Sequence, residues 1–244
     1  MRMRTFGYQG LALFTLSIAG SYVGVSLERV NRERAELGSQ VALLEGLISA
    51  IDSDLRAWEH AMETTEAGIS SAKLLVSAIK SGALPAAGEF AVAVNARAWA
   101  VLPSGNQELF DELTVTGEFG AIQNASLRKM IVQYYGLIED EHRAGEGTGR
   151  LRRSYLSAVR AAVDHDNANA LVGLCCGPGV YDEDAVASVD ERAVLNGFRE
   201  DEEIGMALLV LQFQLTLQAV RINTMTRASD TVVAAIEAEL AALR

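Results

Sequence analysis

The chain is predicted to be all-α: an N-terminal transmembrane helix continuing into a long helix of an antiparallel, extracytoplasmic helical bundle. Three observations carry this. From Thr5 to Leu27 there are 23 residues without a charge, enough for a helix to cross a bilayer. From Leu27 to Ile79 an apolar stripe steps by threes and fours, the spacing that keeps residues on one side of a helix. A second such stripe runs from Ile204 to Leu243. Composition agrees, since only three prolines interrupt a chain rich in Ala, Leu, Glu and Arg, good helix formers. The 244 residues are enough to bury a real core. The expected division is a membrane anchor over 1–27 and a helical bundle domain over 28–244.

The anchor comes first. Arg2 and Arg4 precede it, and Tyr8 and Tyr22 lie near its ends, where amphipathic rings prefer the interface. A cleaved signal peptide is the competing reading, because Ser17-Ile18-Ala19 is a small-x-small triplet. The uncleaved anchor is favoured because the helical pattern runs on into the heptads without a break. Orientation does not follow from charge: Arg2 and Arg4 on one side face Arg29, Arg32 and Arg34 on the other. A four-residue head and a long acidic tail fit an N-inside anchor with an exported domain. Gly20 and Gly24 form a GxxxG pattern with Ser17 also small. Such residues either let a partner span approach closely or face lipid in an anchor that happens to be rich in glycine.

The long helix follows. Its stripe reads Leu27, Val30, Arg34, Leu37, Val41, Leu44, Ile48, Ile51, Leu55, Trp58, Met62, Thr65, Ile69, Ala72, Val76 and Ile79. At ~1.5 Å per residue it is on the order of 80 Å long. Something must cover that seam: later helices of the same chain, or a second copy in an intermolecular coiled coil.

After Ile79, Ser81-Gly82, Pro85 and Gly88 mark a loop. A short helix is expected from Glu89 to Leu102, closed by Pro103-Ser104-Gly105. Another short helix and a turn around Gly117 and Gly120 are expected over 106–123. Asn124 is placed to cap the next helix, with Leu127, Met130, Ile131, Tyr134 and Ile138 on its buried face. Gly145, Gly147 and Gly149 then interrupt it, as a hinge or a local loosening, before a helix resumes over 151–163.

Within this stretch Phe110, Glu112, Leu113, Gly117, Ile122, Asn124, Leu127, Arg128, Ile131, Tyr134 and Tyr135 spell F-x-E-L-x-x-x-G-x-x-x-x-I-x-N-x-x-L-R-x-x-I-x-x-Y-Y. The run resembles the central signature of a family of uncharacterised bacterial single-pass membrane proteins, which place an N-terminal span before a long helix. The order and spacing agree over most of the chain, but only this run is specific. The resemblance implies a helical domain outside the inner membrane, in the periplasm, and brings no activity or catalytic residues. The chain departs from the pattern in a span richer in Gly and poorer in Ile, and over 165–190. Read physically, Gly117 suits a positive φ, and the paired tyrosines can bury rings while their hydroxyls reach polar partners. Arg128, Tyr134 and Tyr135 are a candidate ligand pocket.

In the last third, Asp164-His165-Asp166 reads as a helix end rather than a metal site, for want of a third ligand. Residues 167–190 read as a loop, or a short helix followed by a loop, carrying Cys175-Cys176-Gly177-Pro178-Gly179 and an acidic run. Adjacent cysteines rarely close on each other. Buried thiols, an intermolecular bridge, or attachment of a lipid or cofactor remain open. Cys175, Cys176, Pro178 and Tyr181 are candidates for partner contact. A final helix starts near Asp190 or Glu200. Its stripe is Ile204, Leu208, Leu211, Leu215, Gln218, Ile222, Met225, Ser229, Val232, Ile236, Leu240 and Leu243. Ile204 to Val220 is uncharged, but Gln212, Gln214 and Gln218 argue for a buried helix over a second span.

A net charge of −11 repels phosphate backbones, so no nucleic-acid partner is expected. His60, His142 and His165 lie far apart in sequence and form no metal pattern. No nucleophile–base pair or phosphate loop is visible, so no catalytic residue, no cofactor and no enzyme activity is expected. The expected function is that of a non-enzymatic, membrane-anchored accessory or scaffold subunit. It would sit in the inner membrane with its bulk in the periplasm, against lipid and the other subunits of a larger membrane complex, such as an energy-transducing or transport assembly. The alternative is an extracytoplasmic ligand-sensing bundle that signals through a partner. A homo-oligomer is compatible with either.

Overall fold

A computed structural model describes residues 5–95, 105–173 and 183–244, and for residues 5–27 it describes the backbone. Every regular element among them is helical. These are α1 (Thr5–Ser81), α2 (Glu89–Val94), α3 (Glu108–Thr116), a 3-10 turn (Glu118–Ala121), α4 (Ala125–Ala162), α5 (His165–Gly173), α6 (Glu183–Ala187), α7 (Glu191–Glu200) and α8 (Glu202–Leu243).

α1 runs 77 residues without interruption, about 115 Å at the usual rise. It packs along α8, with Thr65 beside Gln218 and Glu45 beside Arg244, so the two helices run in opposite senses. α4 also opposes α8, because Asn124 at its start meets Glu239 and Glu141 further along meets Arg221.

The α8 stripe is buried as its spacing predicts, from Ile204 to Leu240. On α1 the seam differs from expectation by one residue at alternate positions. Leu44, Ile51, Trp58, Thr65 and Ala72 are buried as expected, but their partners are Leu47, Asp54, Ala61, Gly68 and Leu75. Ile48, Leu55, Met62, Ile69 and Val76 lie half-buried at the edge. The reason is steric. Ala61 and Gly68 are small residues on the face where Thr65 meets Gln218 of α8, and the bulkier side chains lie beside that face.

The cover also begins later than expected. Residues 28–39 are exposed throughout, with Val30 and Leu37 at 43% and 42%, and burial starts at Gln40. The last residue of the chain, Arg244 at the end of α8, meets Glu45 of α1, and the turns of α1 before Gln40 stand clear of cover.

Two hydrophobic clusters fill the interior. One gathers Leu75, Phe90, Tyr155, Leu195, Phe198 and Leu208. The other gathers Leu44, Ile51, Trp58, Ile131, Tyr134 and Ile236. Thr65 and Gln218, both buried, lie between them along the α1–α8 pair, joined by a 3.2 Å bond from the Gln218 amide to the Thr65 hydroxyl.

Several local expectations hold. Gly117 closes α3 with φ of 79°, a left-handed conformation that favours glycine. The Asn124 side chain accepts from the Ser126 and Leu127 N–H groups and caps α4. Others are corrected. α4 continues through Gly145, Gly147 and Gly149 as one helix of 38 residues; helical neighbours on both sides hold these glycines, which cost propensity without forcing a break. The helix expected from Glu89 to Leu102 is described only as far as Val94, with residues 96–104 outside the described part. α4 does end at Ala162, just before Asp164, but Asp164 also opens a further helix, its carboxylate accepting from the Asn167 N–H at 2.9 Å in the first turn of α5. The last helix is two, because Asp201 ends α7 and caps α8. α7 crosses α4 so closely at Gly197 that a Cβ there would collide with the Ala162 carbonyl.

Candidate functional site

Ser17, Gly20 and Gly24 fall in the helical backbone of α1, and their side-chain surroundings lie outside the described residues. Cys175, Cys176, Pro178 and Tyr181 lie outside the described residues altogether.

Arg128, Tyr134 and Tyr135 are described, and they do not line a shared opening. The Arg128 guanidinium donates to the Ile122 and Gln123 carbonyls and fastens the turn ahead of α4. Tyr135 is buried and stacks on Phe110 at 4.3 Å, with Tyr134 edge-on to it at 5.1 Å. Both tyrosine rings are packed in the core, and Arg128 is tied to the turn ahead of α4. The motif reads as architecture, with Phe110, Leu113, Ile122, Leu127, Ile131 and the tyrosines all joining one cluster.

What the sequence reading missed is the polar centre of that cluster. Asp54 sits on the buried seam of α1, 3% exposed. Its carboxylate accepts 2.7 Å from the Asn106 N–H and 2.8 Å from the Tyr134 hydroxyl. The Ser229 hydroxyl on α8 reaches the Tyr134 oxygen at 3.3 Å and the Met225 carbonyl at 3.1 Å, with one proton to give. Burial pushes the Asp54 pKa up, and the bonds from Asn106 and Tyr134 pull it partly back. Burial likewise raises the Tyr134 and Tyr135 hydroxyls, with the nearby Asp54 charge adding to it. The network joins α1, the segment ahead of α3, α4 and α8. Asp54, Tyr134 and Ser229 are buried, so their bonds organise the core. One signal was available: Asp54 falls three residues after Ile51 and four before Trp58, on the seam itself.

An open groove of about 590 Å³ lies between α2, α6 and α7, lined by Gly88, Val92, Val186, Val189 and Glu191. The Glu191 carboxylate is already engaged, accepting from the Gly88 and Ala91 N–H groups at 3.3 and 2.8 Å. Among the described residues no three His, Cys, Asp or Glu side chains gather to hold a metal ion.

The most prominent surface feature is on α8. Reading Ile204–Val220 as buried accounts for its inner stripe alone. The outer face exposes Met206 (63%), Leu209 (49%), Val210 (37%), Phe213 (60%) and Val220 (60%). Among the residues whose side chains are described, α8 is the one helix long and apolar enough to cross a membrane by length and composition. Its inner stripe is held against α1 positions whose neighbours Glu66, Lys73 and Lys80 are exposed. Moving this part of α8 into lipid would carry those charges with it, at a cost of several kcal/mol or so. No family model, curated protein or solved structure matches the chain.

Proposed function

We propose that this protein is a non-enzymatic accessory or scaffold subunit. In this reading it is anchored in the bacterial inner membrane by residues 5–27, and it holds its helical domain on the periplasmic side. The supporting observation is the continuity of α1, which is helical from Thr5 to Ser81. An uncharged segment that leads into a packed rod without a joint sets that domain at a defined distance from the bilayer. The bare turns over 28–39 would be the stalk, about 18 Å long at the usual rise. The buried network at Asp54 and the filled tyrosine cluster suit a part that keeps its shape. The resemblance of the Phe110–Tyr135 run to single-pass membrane proteins points the same way and sets the orientation proposed.

Two measurements test this. Release of the chain from native membranes by alkaline carbonate would sink the anchor. Gentle detergent extraction followed by sizing should give a particle containing other membrane proteins. If the chain migrates without them, the accessory role is lost.

A further inference from the structure

We propose that the outer face of α8 pairs two copies of this chain side by side. Met206, Val210, Phe213, Leu217 and Val220 of one copy would meet the same residues of the other. These five positions step by four, three, four and three, the spacing of a coiled-coil seam. They form a second stripe beside the inner one that α1 already covers. Four are exposed and Leu217 is half-buried.

Charge favours a second copy. Each chain carries −11, and two such bodies repel. Contact costs least where neither brings a charge, and Ile204 to Val220 has none. Ala207, Leu209, Gln214 and Thr216, which would flank the seam, are also uncharged, and the next flanking residue, Arg221, is already paired with Glu141 of its own chain. Pairing each residue with itself therefore opposes only apolar side chains.

The area is sufficient. The exposed fractions of Met206, Val210, Phe213 and Val220 on the seam, with Leu209 beside it, leave roughly 500 Å² of apolar side chain, at the upper end for a monomer's largest patch. A two-fold pair would bury on the order of 1,000 Å², the lower bound of a specific interface. Confinement of two anchored copies in one membrane adds to this by raising their effective concentration. Two copies anchored by the same end stand parallel. That sense rests on the anchor reading, whose failure is read from carbonate release and not from cross-links.

The test uses the full chain purified in detergent. Its mass, corrected for detergent, should be that of two chains. Phe213→Glu should halve it while the circular dichroism stays unchanged, because the side chain is largely exposed. In a Cys175→Ser/Cys176→Ser background, Met206→Cys should cross-link to itself on oxidation. A mixture of Met206→Cys and Val220→Cys chains should give no mixed link. A wild-type monomer, a Phe213→Glu dimer, or links between positions 206 and 220 would each overturn the proposal.

Discussion

The Asp54 carboxylate on α1 accepts a 2.8 Å hydrogen bond from the Tyr134 hydroxyl on α4, although 80 residues separate them in sequence. The contact fixes how α4 sits over the α1 seam. It also buries an ionisable group, which makes its protonation a property of the fold.

Asp54→Ala should cost about 3 kcal/mol, because it leaves a cavity and strands the Tyr134 hydroxyl and the Asn106 N–H. The pH dependence is more diagnostic. Burial raises the folded-state pKa of Asp54 above its ordinary value, so the folded chain holds that proton more tightly than the unfolded one. This stabilisation is complete below the ordinary Asp pKa of about 3.9 and is lost as pH rises through the raised folded value. The unfolding free energy of wild type minus that of Asp54→Asn should therefore fall as pH climbs from that point, then level. Urea titrations across that range read it directly, and a difference that grows with pH would contradict the assignment.

Thr65 and Gln218 form a buried polar contact between α1 and α8. Thr65→Val alone should cost about 1–2 kcal/mol, since the buried Gln218 amide loses an acceptor. Thr65→Val combined with Gln218→Leu should recover part of that loss, with a coupling energy of about 1 kcal/mol in a double-mutant cycle. Strict additivity would mean that the pair does not interact.

Asn124 caps α4 and also donates 2.7 Å to Glu239 on α8. Asn124→Ala should lower stability by about 1 kcal/mol. Thermal unfolding should show a lower Tm with no loss of helical signal at low temperature.

Gly147 and Gly149 lie inside α4 with nothing closer than 3.8 Å to an added Cβ. Each change to Ala should stabilise by about 0.5–1 kcal/mol through the unfolded chain's lost freedom and better helix propensity. A decrease in Tm for both would mean that the glycines serve a bend.

The polar site itself was only half legible. Tyr134 was placed on the buried face of α4 by its spacing, and Asn124 by its capping chemistry. Asp54 was passed over because a carboxylate on an amphipathic helix reads as solvated. What keeps it buried is the Asn106 N–H and the Tyr134 hydroxyl, donors from other parts of the chain that a linear reading does not place beside it. The Tyr135 ring was likewise legible as apolar mass, but its stacking partner Phe110 arrives through a turn that only the folded chain closes.

The residues by themselves determined that the chain is helical, where Gly117 and Asn124 punctuate it, and which stripe of α8 turns inward. Each of these rests on interactions within four residues or on a single face of strong contrast. Only the tertiary structure decided the phase of the α1 seam, the continuity of α4 through its glycines, and the burial of Asp54. Along α1 the apolar positions at 47 and 48, or 75 and 76, compete for the same side of the helix. The neighbour that packs against them chooses between them.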